Sequence, residues 1–251
     1  ALDDPAALGY TDANGTRALR AAIAAHDSRR SSRTVEPSTV CVTAGASAAF
    51  VRAFLAAFEP GDRVAVTRPG YPCYRQILQA LDLVPVEVPV GPATRFQPTP
   101  ALLDAHGPLD GLVIASPANP TGTVLTGAEL AELAAWSDLV DEIYHGITYD
   151  GPAATALDHA EVRPVVVNSF SKYFSMTGWR LGWLTLPDEL VRPVELLAQN
   201  LFIAPSTLSQ HAAAAAFDAT AELDAHVERY AANRRIVLDG VATLGCRQVA
   251  P

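Results

Sequence analysis

Residues 164 to 187 read PVVVNSFSKYFSMTGWRLGWLTLP, two strand-like apolar runs on either side of the only lysine in the chain, Lys172. The chain has 18 Lys and Arg residues, and all the others are Arg. A surface cation does not require lysine, whereas a desolvated lysine amine can lose its proton and attack a carbonyl carbon to form a Schiff base, which Arg cannot do. The residue type at position 172 therefore suggests a reactive amine, although an Arg-biased composition could also leave one lysine by chance.

Five further runs rich in Val and Ile resemble the two that flank Lys172. The seven predicted strands are TVCVTAG (39–45), RVAVTRPG (63–70), VPVEVPV (84–90), GLVIASP (111–117), LVDEIY (139–144), PVVVNSFS (164–171) and RLGWLTLP (180–187). Helical patterns at Ser47–Phe58, Tyr74–Leu81, Gly127–Trp136 and Asp188–Gln199 separate most of them. Continuous apolar runs are typical of buried parallel strands. The order predicts an α/β fold, with a mostly parallel seven-stranded sheet and helices on both faces.

Composition narrows the class of partner. The net charge of −9 argues against a nucleic-acid surface and favours a small-molecule ligand. Cys41, Cys73 and Cys246 lie far apart without metal-ligand spacing, which disfavours a zinc site and a disulfide scaffold. No apolar run approaches the roughly 20 residues that span a bilayer, and the N-terminus lacks the features of a signal peptide. We therefore expect a soluble, cytoplasmic protein that binds neither nucleic acid nor membrane.

Polar residues follow five of the predicted strands, and an α/β sheet binds ligands at the carboxyl ends of its strands. After the first strand, TAGASAAF opens a helix, so the N–H groups near Ala46 and the hydroxyl of Ser47 could hold a phosphate. Arg180 offers a fork for the same anion. Each feature also has a plainer interpretation, as an ordinary helix start and as a surface arginine of an edge strand.

The other strand ends add a carboxylate, an amide and an aromatic ring. Asp141 closes an apolar strand, where a carboxylate needs a cationic partner such as a protonated ring nitrogen. Asn119 in SPANPTG could donate to a phenolic oxygen or could belong to a simple turn, and Tyr71 could stack on an aromatic ligand. Together with a phosphate site and the amine of Lys172, these groups are those that would bind pyridoxal 5′-phosphate. We expect no metal.

The chain resembles the class I/II aminotransferases of the aspartate aminotransferase superfamily, which are pyridoxal-phosphate enzymes of fold type I. The resemblance runs from the N-terminal GYT to about Asn233. It rests on six motifs in the family's order, GYTDANGTRALRAAIA, TAGASAAF, PGYPCY, SPANPTG, DEIYHG and SFSKYFSMTGWRLGW.

The resemblance implies a role for each matching residue. Lys172 forms the Schiff base with the cofactor and then carries the proton, and Asp141 keeps the pyridine nitrogen protonated. Tyr144 and Asn119 bind the 3′-oxygen of the ring. The remaining cofactor contacts are Tyr71 on the ring face, Ala46, Ser47, Ser169 and Arg180 on the phosphate, and Tyr10 on the phosphate of the neighbouring subunit of a homodimer.

The implied reaction moves an amino group from an amino acid to a 2-oxo acid in a ping-pong sequence, and the sequence does not identify the donor. A C–S β-lyase of the same fold would use Lys172 and Asp141 identically. A pyridoxal-phosphate-binding regulator without turnover is the third interpretation. His145 and Tyr149 could line the entrance of the site, or could be ordinary loop residues.

The resemblance also implies a domain division. Residues 1–235 should form the large cofactor-binding domain, within which residues 1–20 contribute to the dimer active site, and 236–251 should begin a small domain that is largely absent. That domain carries the family's arginine for the substrate carboxylate, and neither Arg234 nor Arg247 lies in a matching motif.

The connection before Asp141 is shorter than the family's. A turn and a strand of about five residues should not fit between Trp136 and Asp141. Either residues are absent around 136–141, or the helix and the strand are shortened and Asp141 is displaced.

Overall fold

The computed structural model describes residues 9–134, 136–159, 164–246 and 248, and a seven-stranded sheet forms its centre. Its strands are β1 (Val40–Thr43), β2 (Arg63–Arg68), β3 (Val84–Pro89), β4 (Gly111–Ala115), β5 (Ser137–Asp141), β6 (Val165–Ser169) and β7 (Gly182–Thr185). The order across the sheet is β1-β7-β6-β5-β4-β2-β3. Strand β7 is antiparallel to β1 and β6, and every other neighbouring pair is parallel. All seven predicted strands and the mostly parallel sheet are confirmed.

The described helices include the four that the sequence predicts between the strands, together with further helices. They are α1 (Arg17–Arg30), α2 (Ala46–Ala57), α3 (Pro72–Ala80), α4 (Pro100–Asp104), α5 (Gly127–Leu133), α6 (Asp188–Leu197), α7 (Thr207–Ala216) and α8 (Thr220–Thr243), with a π-helix at Ala198–Phe202. Helix α4 has only five residues, too few for a clear helical period in the sequence.

Helices cover both faces of the sheet, as predicted. Side chains of consecutive strand residues point to opposite faces. Val165 and Val167 pack with Phe50 of α2 and with residues of α3 and α6. Val166, between them, packs on the other face with a cluster that includes Leu130 of α5, and α1 and α7 extend that layer beside β1 and β7. The central strands, such as β4 and β6, are therefore buried on both sides, which explains their apolar runs, whereas the edge strand β3 is partly exposed.

The prediction that a turn and a strand cannot fit before Asp141 is wrong. Helix α5 ends at Leu133, three residues before Trp136, and the Trp136 N–H donates to the Leu133 carbonyl. Strand β5 then begins at Ser137 and pairs with β4 through a register shift. Asp141 is not displaced, because it pairs with Ala115 on one side and Val167 on the other. The shorter helix removes the geometric reason for supposing that residues are absent.

Two further properties concern the described chain as a whole. Over residues 9–134, 136–159 and 164–246, no helix has the length and apolar character needed to cross a membrane. All three cysteines are free thiols.

Candidate active site

The sheet brings three predicted site segments to one edge. Strands β4, β5 and β6 are parallel neighbours, and the loops after them carry Asn119, Tyr144 and Lys172. Strand β7 runs in the opposite direction, so its first residue, Gly182, lies beside the last residues of β6 and β1. The N-terminus of α2 and Arg180 therefore reach the same edge, which no local sequence pattern specifies.

Asp141 lies buried at the centre of this edge, with 3% of its surface exposed. Its Oδ1 accepts a hydrogen bond from the N–H of Ile143 at 3.1 Å, and its Oδ2 accepts one from the hydroxyl of Tyr74. Burial raises the pKa of Asp141 to about 6, although these hydrogen bonds and the charge of Lys172 act in the opposite direction. A carboxylate held in this way gains most from a cationic partner.

Tyr74 is a site residue that sequence reasoning missed. It lies in the first turn of α3, it is 4% exposed, and its ring packs edge-on against Phe50 at 5.0 Å between centroids. Burial raises its pKa well above the usual value, and the neighbouring charge of Asp141 adds to the shift, so the hydroxyl stays protonated and donates. The available signal was a tyrosine on the buried face of a predicted helix, since a buried phenol needs a polar partner.

Asn119, Tyr144 and Lys172 form a second contact group. The Asn119 side-chain amide donates to the Tyr144 hydroxyl over 3.3 Å, and Nζ of Lys172 lies 5.3 Å from the centre of the Tyr144 ring. Burial, followed by the nearby charge of Asp141, raises the pKa of Tyr144. The phenol is therefore a hydrogen-bond donor at neutral pH, with its oxygen already oriented by Asn119.

The N-terminus of α2 and Arg180 form an anion cradle. Helix α2 begins at Ala46 with no side-chain cap, so its first N–H groups remain available. Gly45 has φ +82°, and a Cβ there would lie 2.5 Å from a terminal nitrogen of Arg180. Nη1 of Arg180 also donates to the Thr177 carbonyl at 3.1 Å and lies 3.5 Å from Oγ of Ser171. A guanidinium group held against a free helix N-terminus suits a phosphate.

Two serines at this edge differ in environment. Ser169 is buried, its hydroxyl donates to the Leu181 carbonyl at 3.2 Å, and it accepts from the Ser171 N–H at 3.0 Å. Ser171 is only half-buried, and its hydroxyl faces Arg180. The hydroxyl of the predicted Ser169 is therefore hydrogen-bonded to the backbone. Ser171, which the sequence analysis did not select, lies at the cradle.

The two predicted tyrosines outside this core are accessible. Tyr71 is 36% exposed and its ring stands nearly perpendicular to that of Tyr74, with 5.5 Å between centroids. Tyr10 is 85% exposed, so its side chain is free to contact another molecule.

A cavity of about 770 Å³ opens beside Asn119 and Tyr144. Tyr149 lines it, with the guanidinium group of Arg234 5.5 Å from the ring centre. His145 does not line it and is 5% exposed. Of the two residues considered for the entrance, the structure therefore brings only Tyr149 to an accessible surface.

These residues fit pyridoxal phosphate by the chemistry of their groups. The cradle at Gly45 leaves room beside Arg180 that a Cβ would fill, the buried Asp141 lacks a cationic hydrogen-bond partner in the described contacts, and the Tyr144 phenol is preoriented. An anion, a protonated ring nitrogen and a phenolic oxygen are the groups that would match them.

Two characterised aminotransferases are similar to this chain in sequence. Valine–pyruvate aminotransferase of Mycobacterium tuberculosis is 52% identical over 97% of this chain, which covers 66% of that protein. Arginine–pyruvate transaminase of Pseudomonas aeruginosa is 34% identical over 96% of the chain and 66% of its own length. The chain thus spans about two thirds of the length of these curated relatives.

Solved structures agree with the sequence matches. An aminotransferase from Mycobacterium tuberculosis superposes with a TM-score of 0.90 at 52% identity, over 94% of this chain and 68% of that one. Aspartate aminotransferase from Thermus thermophilus with maleate gives a TM-score of 0.91 at 30% identity, over 98% and 67%. The family model described as aminotransferase class I and II matches residues 1–251. This chain therefore belongs to the class I and II aminotransferases, a family that uses pyridoxal 5′-phosphate.

Proposed function

We propose that the chain is the cofactor-binding part of an enzyme that transfers an amino group from an amino acid to a 2-oxo acid. The observation that carries this proposal is the convergence of the chain's single lysine with a buried carboxylate and an Asn119–Tyr144 pair at one sheet edge. Such a set of residues can bind an aromatic aldehyde, keep its ring nitrogen protonated and transfer a proton near the aldehyde carbon.

When bound, pyridoxal phosphate supplies an aldehyde that takes up amino groups and a ring that withdraws electrons from a neighbouring carbon. Lys172 would hold this aldehyde, and when its Nζ is free and neutral it could accept a proton from the substrate's Cα and donate it to another atom of the bound group. Asp141 holds a proton on the ring nitrogen, because a buried carboxylate favours a charged partner.

The other residues hold and orient the group. Tyr144 and Asn119 bind its phenolic oxygen, and Tyr71 stacks on its face. The phosphate is bound by Ala46, Ser47, Ser171 and Arg180, while Ser169 supports Ser171 through the hydrogen bond that its hydroxyl accepts. The contacts among Asn119, Tyr144, Ser171 and Arg180 support this part of the proposal.

We infer valine as the first donor to test and pyruvate as the acceptor. The relative at 52% identity is named for this pair, and a second relative is also named for pyruvate. The cavity beside Tyr144, lined largely by apolar residues such as Ile147 and Val124, supports an apolar donor.

We also infer a two-domain homodimer. Helix α8 continues through the expected division at residues 235 and 236, so it would link the large domain, 1–235, to a small domain that begins in 236–251. The exposed Tyr10 supports a contact with the phosphate of a neighbouring subunit, within the 1–20 segment.

The direct test is the visible spectrum of the protein with added pyridoxal phosphate, followed by borohydride reduction and peptide mapping. We expect one reduced adduct, on Lys172, and a spectrum that valine bleaches and pyruvate restores. Steady release of pyruvate and ammonia from a cysteine conjugate without a 2-oxo acid would instead indicate a β-lyase. An adduct that no amino acid changes would contradict amino transfer.

Shared sites are tested by mixing subunits. Tyr10→Phe and Lys172→Arg proteins should each be impaired alone. Subunit exchange should restore about a quarter of the wild-type sites, because half of the dimers are mixed and each mixed dimer carries one intact site. No recovery in a verified mixed dimer would contradict the assignment of Tyr10.

A further inference from the structure

Glu142 follows Asp141 directly but points to a separate buried network. Its side chain is 2% exposed. The hydroxyl of Thr155 lies 3.0 Å from both carboxylate oxygens, and the N–H of Ala156 donates to Oε1 at 2.7 Å. Nη2 of Arg30 approaches Oε2 at 3.5 Å, and Nδ1 of His145 lies 3.2 Å from the same oxygen. The proposed function leaves this carboxyl group without a role.

His145 joins this network to the end of β4. Its Nε2 lies 3.0 Å from the carbonyl oxygen of Ser116. The N–H of Ser116 donates to the Asp141 carbonyl at 3.1 Å, and its hydroxyl accepts from the N–H of Leu125 at 3.0 Å. Asn119 follows three residues later, so the imidazole of His145 fastens the beginning of the Asn119 loop.

The two contacts of the His145 imidazole determine how many protons the ring and the Glu142 carboxyl group must carry together. A carbonyl oxygen only accepts, so Nε2 carries a hydrogen and donates to Ser116. A neutral ring with hydrogen on Nε2 has a lone pair on Nδ1, and that lone pair would face a carboxylate that also only accepts. The 3.2 Å contact with Glu142 is a hydrogen bond only when one additional proton lies on either Nδ1 or Oε2.

We propose that Glu142 and His145 share one proton, and that this proton fastens the Ser116 end of the Asn119 loop to the turn that carries Tyr144. The turn is closed by the N–H of His145, which donates to the Glu142 carbonyl at 2.9 Å, with Tyr144 between them. Both are positioning residues: they act through Asn119 and Tyr144, and their effect on a cofactor rests on the proposed function.

The surrounding charges are compatible with a proton held near neutral pH. Burial raises the pKa of Glu142 to about 7, against the opposing effects of Arg30 and of the hydrogen bonds from Ala156 and Thr155. Asp27, on the same helix as Arg30, raises it further. Because this folded-state pKa lies above the unfolded value, the fold favours protonated Glu142, and the contribution of this group to stability is complete below the unfolded pKa and is lost as pH rises through about 7.

The proton can be observed without any cofactor. In the ¹⁵N-labelled full chain, ring-nitrogen NMR across pH 5 to 9 should show Nε2 of His145 protonated throughout and the shared proton lost as pH rises. Glu142→Gln replaces the shared proton with an amide N–H, so Nδ1 should remain an acceptor and the step should disappear. His106 is the matched control: its Nδ1 lies 2.7 Å from the Leu102 carbonyl, and it should respond identically in both proteins.

Positioning has its own readout in the same samples. The cross-relaxation signal between the Asn119 side-chain amide and the Tyr144 ring should weaken above the transition in the wild type and stay constant in Glu142→Gln. His145→Leu should lose it at every pH, and it should bind added pyridoxal phosphate about tenfold more weakly, as expected for one lost buried hydrogen-bond partner.

The outcomes separate the two proposals. Identical His145 titrations in the wild type and Glu142→Gln would overturn the shared proton. An Asn119–Tyr144 signal that stays constant across the transition in the wild type would overturn positioning. Should His145→Leu fail to fold, Glu142→Gln still decides both points. A wild-type chain that shows the proton step but forms no adduct with pyridoxal phosphate would contradict the proposed function and leave this inference supported.

Discussion

The hydroxyl of Tyr74 donates a hydrogen bond to Oδ2 of Asp141 and so connects helix α3 to the end of strand β5. The two residues are 67 positions apart in the sequence. The bond stabilises the ionised carboxylate, which burial otherwise disfavours. Tyr74 therefore influences how strongly Asp141 can hold a cationic partner.

Tyr74→Phe should reduce the free energy of unfolding at pH 8 by about 1–3 kcal/mol, because it leaves a buried carboxylate without one of its donors. The loss should be smaller at pH 5, where Asp141, with a pKa of about 6, is mostly neutral. Urea unfolding at both pH values measures the change in the free energy of unfolding. Tyr230→Phe, on the partly exposed face of α8, is the control. Equal losses at both pH values would show that the bond does not act on the carboxylate's charge.

Asp141 and Glu142 should make the cofactor-free chain less stable at pH 8 than at pH 5, against the opposite effect of His26, whose pKa burial lowers to about 3. The folded-state pKa values of Asp141, about 6, and Glu142, about 7, lie above the unfolded values, so their stabilising contribution is complete at low pH and is lost as pH rises through 6 to 7. Asp141→Asn should remove roughly 1.4 kcal/mol of this decline, the equivalent of the one pKa unit that separates pH 5 from the folded-state pKa of about 6. Asp104→Asn, at an exposed position of α4, should leave the decline unchanged. Equal changes of stability between pH 5 and pH 8 in the wild type and Asp141→Asn would contradict the prediction.

Gly45→Ala should weaken phosphate binding, whereas Gly61→Ala should not. Both glycines have positive φ, +82° and +96°, so both substitutions should strain the backbone, by about 1–3 kcal/mol. Only at Gly45 would the new Cβ meet the guanidinium group of Arg180, at 2.5 Å; nothing lies within 4 Å of a Cβ at Gly61. Calorimetric titration with pyridoxal phosphate should show at least a tenfold loss for Gly45→Ala, about 1.4 kcal/mol. Equal affinities in the two variants would mean that Arg180 is not fixed at the cradle.

Lys172→Arg should abolish the borohydride-reducible adduct and lower amino transfer by roughly 10²–10⁴-fold or more, because the guanidinium group keeps the charge but gives up the amine that carries the proton. Lys172 is the only lysine, so no other lysine can replace it. Peptide mapping after reduction and single-turnover absorbance measure the two effects. Amino transfer at the wild-type rate in the variant would contradict the role of Lys172.

Local patterns in the sequence predicted the framework of the site. Apolar runs identified all seven strands because most of the sheet is buried on both faces, as in β6, where three consecutive valines are buried. The presence of a single lysine, whose amine can form a Schiff base, and the order of the motifs around it indicated the cofactor and the family. These inferences depend on residue type and spacing, which the sequence states directly.

The tertiary structure decided which of these groups meet. Tyr74 reaches Asp141, Arg180 lies against Gly45, and Ser169 turns its hydroxyl to the backbone. The end of α5 at Leu133, which lets β5 fit, is also a tertiary result. Sequence spacing does not determine such contacts, because parallel strands are joined through long crossovers, and the distance between two side chains at the sheet edge depends on strand order, direction and packing rather than on position along the chain.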